Sequence, residues 1–274
     1  MITIDKKIFE KYVPAAKMPE RNDSVFGRMQ PLFGDSFNRL VEHTLGTAVA
    51  EGLADGQVLN SLVTQFVCID TFVANLRSFD LVLTATGFGI VSTQSTAPAS
   101  QARVEALNGQ LRLQRLRVHE QIVTELISTE GWGSSPQAQR CIDVLFWRVT
   151  DMERYSIQKL SADTVQAMHS RALTADTFLR REVSDEYMEE LLQHYRNGTL
   201  TNADRIIIDL CHRFTGDFVS QEENPCPNRL LLDTIMRQLE TYHDQYATYE
   251  NSSVYKSRHA EQFRNRQEPS FFFM

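Results

Sequence analysis

One stretch constrains this chain more than any other: QVLNSLVTQFVCIDTFVANLR, residues 57–77. Its apolar side chains recur at helical spacing. Yet Leu59, Leu62, Val63, Phe66, Val67, Ile69, Phe72, Val73 and Leu76 cover more than one face of the helix they predict. A helix apolar over that width must be packed on two sides, so other helices have to surround it.

The same periodicity locates its neighbours. A helix is expected through SFNRLVEHTLGTAVAEGLA, capped by Asp35 or Ser36 and stopped at Asp55-Gly56. The longest helical run spans Pro98 to about Ser128, opened by Thr96 and Pro98 or capped by Ser100. Val104, Leu107, Leu111, Val118, Ile122 and Leu126 form its inward stripe. Arg103, Arg112, Arg115 and Arg117 occupy much of the rest, either as a solvated basic face or as a contact for an acidic neighbour.

Further on, Ser135-Pro136 reads as a cap and first helical position, while LFWRVTDMERYS, 145–156, is ambiguous between strand and helix end. Ser184 caps DEYMEELLQHYR, whose two leading acids suit the helix dipole, and Asn197-Gly198 stops it. Thr201 and Asp204 make a capping-box-like start for ADRIIIDLCHRF, so residues 184–214 form an αα-hairpin. A last helix is expected from about Asn228 to Tyr249.

LVLTATGFGIVSTQSTAPAS, residues 81–100, departs from this pattern. β-Branched residues alternate around Thr86-Gly87, where a glycine at positive φ permits a tight turn. A β-hairpin is therefore expected over 81–92, apolar on both faces and tethered by Thr93–Thr96. Such a hairpin needs cover: it folds back on its own helices or inserts between subunits.

Composition narrows the function classes. The chain has 274 residues, 42% hydrophobic and 23% charged, which is ordinary for a globular protein. A net charge of −7 argues against gripping DNA phosphates as the main task. MITIDKKIFEKYVP has no apolar core after its charges, so no secretory signal is expected. No uninterrupted apolar run approaches a membrane span. Cys68, Cys141, Cys211 and Cys226 lie far apart and read as scattered thiols.

Catalytic signatures fail one by one. Gly87-Phe88-Gly89 lacks the third glycine and the immediate helix of a dinucleotide loop. His119-Glu120 begins a zinc-protease motif, but Val123 stands where the second histidine belongs. Asp209, Cys211 and His212 would need further ligands from elsewhere, and Glu190 with His194 suits a helix-surface pair. No catalytic residue, metal site or cofactor is expected.

Phe271, Phe272 and Phe273 form the remaining conspicuous feature. Burying them contributes roughly 5–9 kcal/mol gross, at about 1.5–3 per side chain. Ordering the ten or so residues before them costs on the order of 10–20 kcal/mol. A fully ordered arm therefore needs backbone hydrogen bonds, pairing of Arg258, Arg264 and Arg266 with acids, or multivalent presentation in a ring.

LVLTATGFGIVSTQSTAPASQARVEAL and SDEYMEELLQHYRNGTLTNADR, together with the FFFM ending, resemble a family of neck or head-to-tail-connector-like structural proteins encoded in phages and prophages of gut Bacteroidales. The resemblance implies a mainly α protomer: a helical bundle over 1–250 with one protruding β-hairpin, and an extended C-terminal arm over 251–274. It implies a homo-oligomeric ring, about twelve-fold, that contacts the portal and neighbouring neck or tail proteins. Thr84, Gly87, Phe88, Gly89, Ile90, Val91, Arg112, Arg115 and Phe271–Phe273 are the expected interface residues. No membrane is involved, and DNA at most passes through without specific binding. The expected location is the virion, assembled in the cytoplasm of a bacterial host. Two other readings remain: a phage accessory or scaffold-binding protein outside the mature neck, and an enzyme whose site carries no motif.

Overall fold

The broad apolar helix is the axis of the molecule. A computed structural model describes residues 3–16, 25–54, 56–79, 82–84, 87–89 and 100–260. The chain begins with α1 (Lys6–Tyr12), α2 (Val25–Met29), α3 (Phe33–Leu40), α4 (Thr47–Glu51) and α5 (Val58–Asn75). Val63, Val67, Cys68 and Ile69 of α5 are fully buried, and α5 packs against α1, α3 and the long α6 (Gln101–Ile127). α5 is also long and apolar enough to cross a membrane by length and composition. Here it is a core helix, with Asp70 on it held by three side-chain donors.

The second half continues through α7 (Pro136–Cys141), α8 (Val149–Tyr155), α9 (Ala162–Glu182), α10 (Asp185–Arg196), α11 (Asn202–Ser220), α12 (Arg229–Thr241), α13 (Ala247–Asn251) and α14 (Ser253–Arg258). Several starts are chemically explicit. Ser135, Ser184 and Thr201 each accept from the backbone amide three residues on, and Asp204 returns the bond to Thr201. Gly198, at φ 66°, ends α10. On α6 the expected stripe is inward: Leu111, Val118, Ile122 and Leu126 are buried, with Val104 and Leu107 packed against the same core.

Most of the apolar side chains form one core around α5, α6, α10 and α11. A smaller one gathers Val144, Phe146, Val149, Met152, Leu160, Val165, Met168, Ala172 and Val219 beneath α8 and α9. The two cores meet along α6.

Several expectations are corrected. Among the described residues the protruding β-hairpin expected over 81–92 is not seen, and the fold class is mainly α. Among the described residues, antiparallel pairing is confined to β1 (Val82–Thr84) against β2 (Gly87–Gly89), in register Val82↔Gly89, Leu83↔Phe88 and Thr84↔Gly87. Two of the three residues in the second segment are glycine, which offers no cross-strand side chain and weakens a strand. Ladders this short fall below the usual strand length of about five or six residues. Ile90, Val91 and the expected Thr93–Thr96 tether lie outside the described residues, as does Asp55.

The helix expected from Ser36 onward is interrupted. Residues Val41–Leu45 form a π turn, after which Gly46 at φ 78° breaks the run before α4. Asp35 lies in the first turn of α3, and Ser36 is a buried residue inside it, so neither is its N-cap. The last expected helix is also divided: α12 ends at Thr241, and a short 3-10 turn leads into α13. Within the expected arm, α14 is helical and Ser252 before it is buried. Residues 261–274, with Phe271–Phe273, lie outside the described residues.

Candidate functional site

Where the two cores meet, they leave a cavity of about 440 Å³. Each wall follows from helical spacing. α6 presents Arg112, Arg115, Leu116 and His119 on one face, and α9 presents Ala162, Val165, Gln166 and His169 on another. The π turn brings in His43 and Thr44, and the end of α7 supplies Arg140 and Cys141, with Asp143 just beyond. π turns place side chains where an unbroken α-helix could not, and they recur at functional positions. This one is clamped: Trp132 Nε1 donates to the Thr44 carbonyl at 2.8 Å, and Gln137 Nε2 to the Glu42 carbonyl at 3.2 Å.

The polar groups are committed to one another. Arg112 pairs with Asp163 at 2.8 Å and Arg115 with Asp70 at 2.8 Å. Burial alone would raise the Asp70 carboxyl. Hydrogen bonds from Ser36, Arg39 and Arg115, with the charge of Arg115, outweigh it and hold the group below its usual range. Glu120 accepts from the Thr150 hydroxyl at 2.6 Å and the Thr150 amide at 3.1 Å, tying α6 to the N-terminus of α8.

His119 Nε2 lies 3.0 Å from the Thr44 hydroxyl. Burial, reinforced by Arg115, lowers its pKa to about 4, so the ring is neutral at physiological pH. Arg140 Nη1 lies 3.2 Å from His43 Nδ1.

Cys141 raises the question of a thiol nucleophile beside histidines. The geometry argues for packing instead: Sγ lies 3.7 Å from the backbone carbonyl of His43, and burial pushes the thiol up to about 11. His169 Nε2 meets Asp143 Oδ2 at 3.2 Å, and that hydrogen bond raises the imidazole. The other oxygen, Asp143 Oδ1, is buried without a hydrogen-bond partner. Beneath these groups the floor is apolar: Leu116, Trp147, Val149, Met152 and Val165. Among the described residues, no group of three or more His, Cys, Asp or Glu side chains could hold a metal ion.

Of the residues singled out in the sequence, Arg112, Arg115, His119, Glu120 and Cys141 meet in this cavity. Thr84, Gly87, Phe88 and Gly89 belong to the short ladder just ahead of α6, and Ile90, Val91 and Phe271–Phe273 lie outside the described residues. His212 bonds the Leu145 carbonyl at 3.0 Å, and Asp209 pairs with Arg213. His194 pairs with Asp204 at 3.0 Å, not with Glu190. His43, Thr44, Arg140, Asp143 and His169 were not identified beforehand, and Cys141 was read only as a scattered thiol. They are far apart in sequence, and no spacing rule links them.

Residues 29–142 match a family described as "Family of unknown function (DUF6712)". The matched stretch runs from the end of α2 to just past α7. It takes in the π turn, α5 and α6, and leaves the α9 wall outside. No curated protein and no solved structure matches the chain.

Proposed function

We propose that this chain is a virion structural subunit: one protomer of a neck or head-to-tail connector ring, joined to portal and tail components by protein–protein contacts. One observation carries the reading. The segment densest in the connector-like resemblance leads into the exposed end of α6. Gln101, Ala102, Arg103, Glu105, Ala106, Gly109 and Gln110 are all exposed, while Val104 and Leu107 pack against the core and full burial begins at Leu111. The start of α6 is thus held toward the surface on a helix whose other end is anchored deep within the core. That placement suits a contact with another molecule.

Two features agree with it. Arg112 with Asp163, Arg115 with Asp70 and Glu120 with Thr150 fix helix to helix around the cavity, as a load-transmitting framework requires. The net charge of −7 suits a conduit through which DNA must slide without being held. The test is made on particles. Purified virions, disrupted and separated into head, neck and tail fractions, should contain the chain in the neck fraction at a fixed copy number. Absence of the chain from mature virions would overturn the reading.

A further inference from the structure

We infer that α14 is a proton-operated strap, closed on α12 while His259 is an imidazolium and released when that ring loses a proton. The surroundings of one ring carry it. His259 follows the last residue of α14, with Nδ1 2.9 Å from the Tyr255 carbonyl oxygen and Nε2 3.1 Å from Glu240 Oε2 on α12. Both neighbours are acceptors. A backbone carbonyl has no proton to give, and the Glu240 carboxylate already takes one on Oε1 from the Tyr249 hydroxyl at 2.6 Å. Only an imidazolium has a proton for each nitrogen. Either neutral tautomer satisfies one contact and turns a lone pair toward oxygen in the other. The positive charge also sits at the C-terminal end of α14, where the helix dipole favours it.

The rest of α14 makes this contact matter. A helix of six residues has little stability of its own, and none of its residues is fully buried. Its first turn is anchored: the buried Ser252 accepts from the Tyr255 amide at 3.1 Å, and the Tyr255 ring meets Tyr249 edge-on at 5.3 Å. Its last turn depends on Arg258 and His259. Arg258 Nη2 lies 3.3 Å from Glu182 Oε2, and its Nη1 lies 3.2 Å from Met236 Sδ. Glu182 is shared, with Arg181 at 3.0 Å and Arg229 at 3.6 Å. His259 also stacks on Tyr255 at 4.0 Å, so its departure uncovers that ring.

The charged and titratable groups around this stack are Glu240 from α12, Tyr249 and Glu250 from α13, His243 and Asp244 from the 3-10 turn, Glu182 from α9, and Tyr255, Lys256 and Arg258 on α14 itself. Histidine is the side-chain class that changes charge between pH 5 and 8, which leaves His259 and His243. His243 pairs with Asp244 at 3.1 Å and Glu250 at 3.4 Å, so its charge does not bridge to α14. An imidazolium that stabilises the closed strap does so fully at low pH and ceases to as pH rises through the imidazole range. Glu240 keeps its bond from Tyr249 in both states, so the change is confined to α14. Both partners of the His259 pair are partly exposed, which limits the shift in closed against open strap to about fivefold. The inference stands whether or not the chain assembles into a ring.

The experiment uses the full chain and trypsin, whose sites after Lys256 and Arg258 lie within α14. Cleavage there is followed by peptide mass at pH 6 and pH 8. Each rate is divided by that of the free peptide 247–260, which removes the pH response of the protease. The ratio is expected to rise about three- to fivefold from pH 6 to pH 8. His259→Gln should give one ratio at both pH values, and His243→Gln should keep the parent's rise. A flat ratio in the parent, an undiminished rise in His259→Gln or a lost rise in His243→Gln overturns the assignment. A parallel rise at Arg171 within α9 also overturns it, because the opening would then be global.

Discussion

Replacing Asp70 by alanine tests how the charges inside this helical framework act. The carboxylate is 7% exposed and accepts three side-chain bonds: Ser36 Oγ at 2.7 Å, Arg39 Nη2 at 2.9 Å and Arg115 Nη1 at 2.8 Å. These join α3, α5 and α6. Arg39 is half exposed and adds at most about 1 kcal/mol. Ser36 is fully buried, and its hydroxyl would lose its partner. Arg115 would keep its charge beside the neutral His119. Breaking a buried ionic cluster by removing one member costs about 3–5 kcal/mol.

In urea, where a chain of this size has an m-value of about 3 kcal/mol/M, the unfolding midpoint should fall by about 1–1.7 M. Asp70 is held below its usual range, so its contribution is present above the unfolded value of 3.8 and is lost as pH falls through the folded value. The gap between parent and variant should therefore narrow in acid. Replacing the set together, as Ser36→Ala, Asp70→Leu and Arg115→Met, should recover most of the loss. A single Asp70→Ala variant within about 1 kcal/mol of the parent would refute the reasoning. It would mean that Arg115 is not anchored from α5.

Two further outcomes follow from the same structure. His119 has its pKa lowered from 6.5 to about 4, so its neutral ring favours the fold fully above pH 6.5 and that advantage drains away as pH falls toward 4. The displacement corresponds to about 3 kcal/mol at most, and His119→Gln should flatten the urea midpoint across that window; an equal slope in both proteins would contradict the assignment. Gly133 has no room for a side chain, since an added Cβ would sit 2.4 Å from the Arg196 carbonyl oxygen and 2.2 Å from Asn197 Oδ1. Gly133→Ala should cost about 1–3 kcal/mol by thermal unfolding, and a neutral result would show that the α10 end is free to shift.

The legible parts of this fold are those where one residue type answers one physical demand. The width of the apolar face on α5 required a central helix, and hydroxyl and glycine signals located the ends of α7, α10 and α11. α9 was missed because alanines Ala162, Ala172 and Ala175 and the acid Asp176 interrupt the apolar signal of Val165, Met168 and Leu179 on its inward face. The π turn at Val41–Leu45 was missed for another reason. It is held by Trp132 and Gln137, nearly ninety or more positions away, so its cause is tertiary.

The alternating text of 81–92 raised the expectation of a hairpin, but alternation does not report that glycine would leave the ladder with so few cross-strand pairs. The cavity lay beyond the reach of spacing arguments altogether. Its His43, His119, Asp143 and His169 come from separate elements that only the packing of α6 against α9 and the π turn brings together.

The claim that this chain works by assembling with copies of itself is tested most directly by its mass in solution. Light scattering on the purified full-length protein, coupled to size-exclusion chromatography, should give one closed species at a fixed multiple of the protomer mass that survives dilution. A strict monomer at every concentration up to the millimolar range would contradict the account.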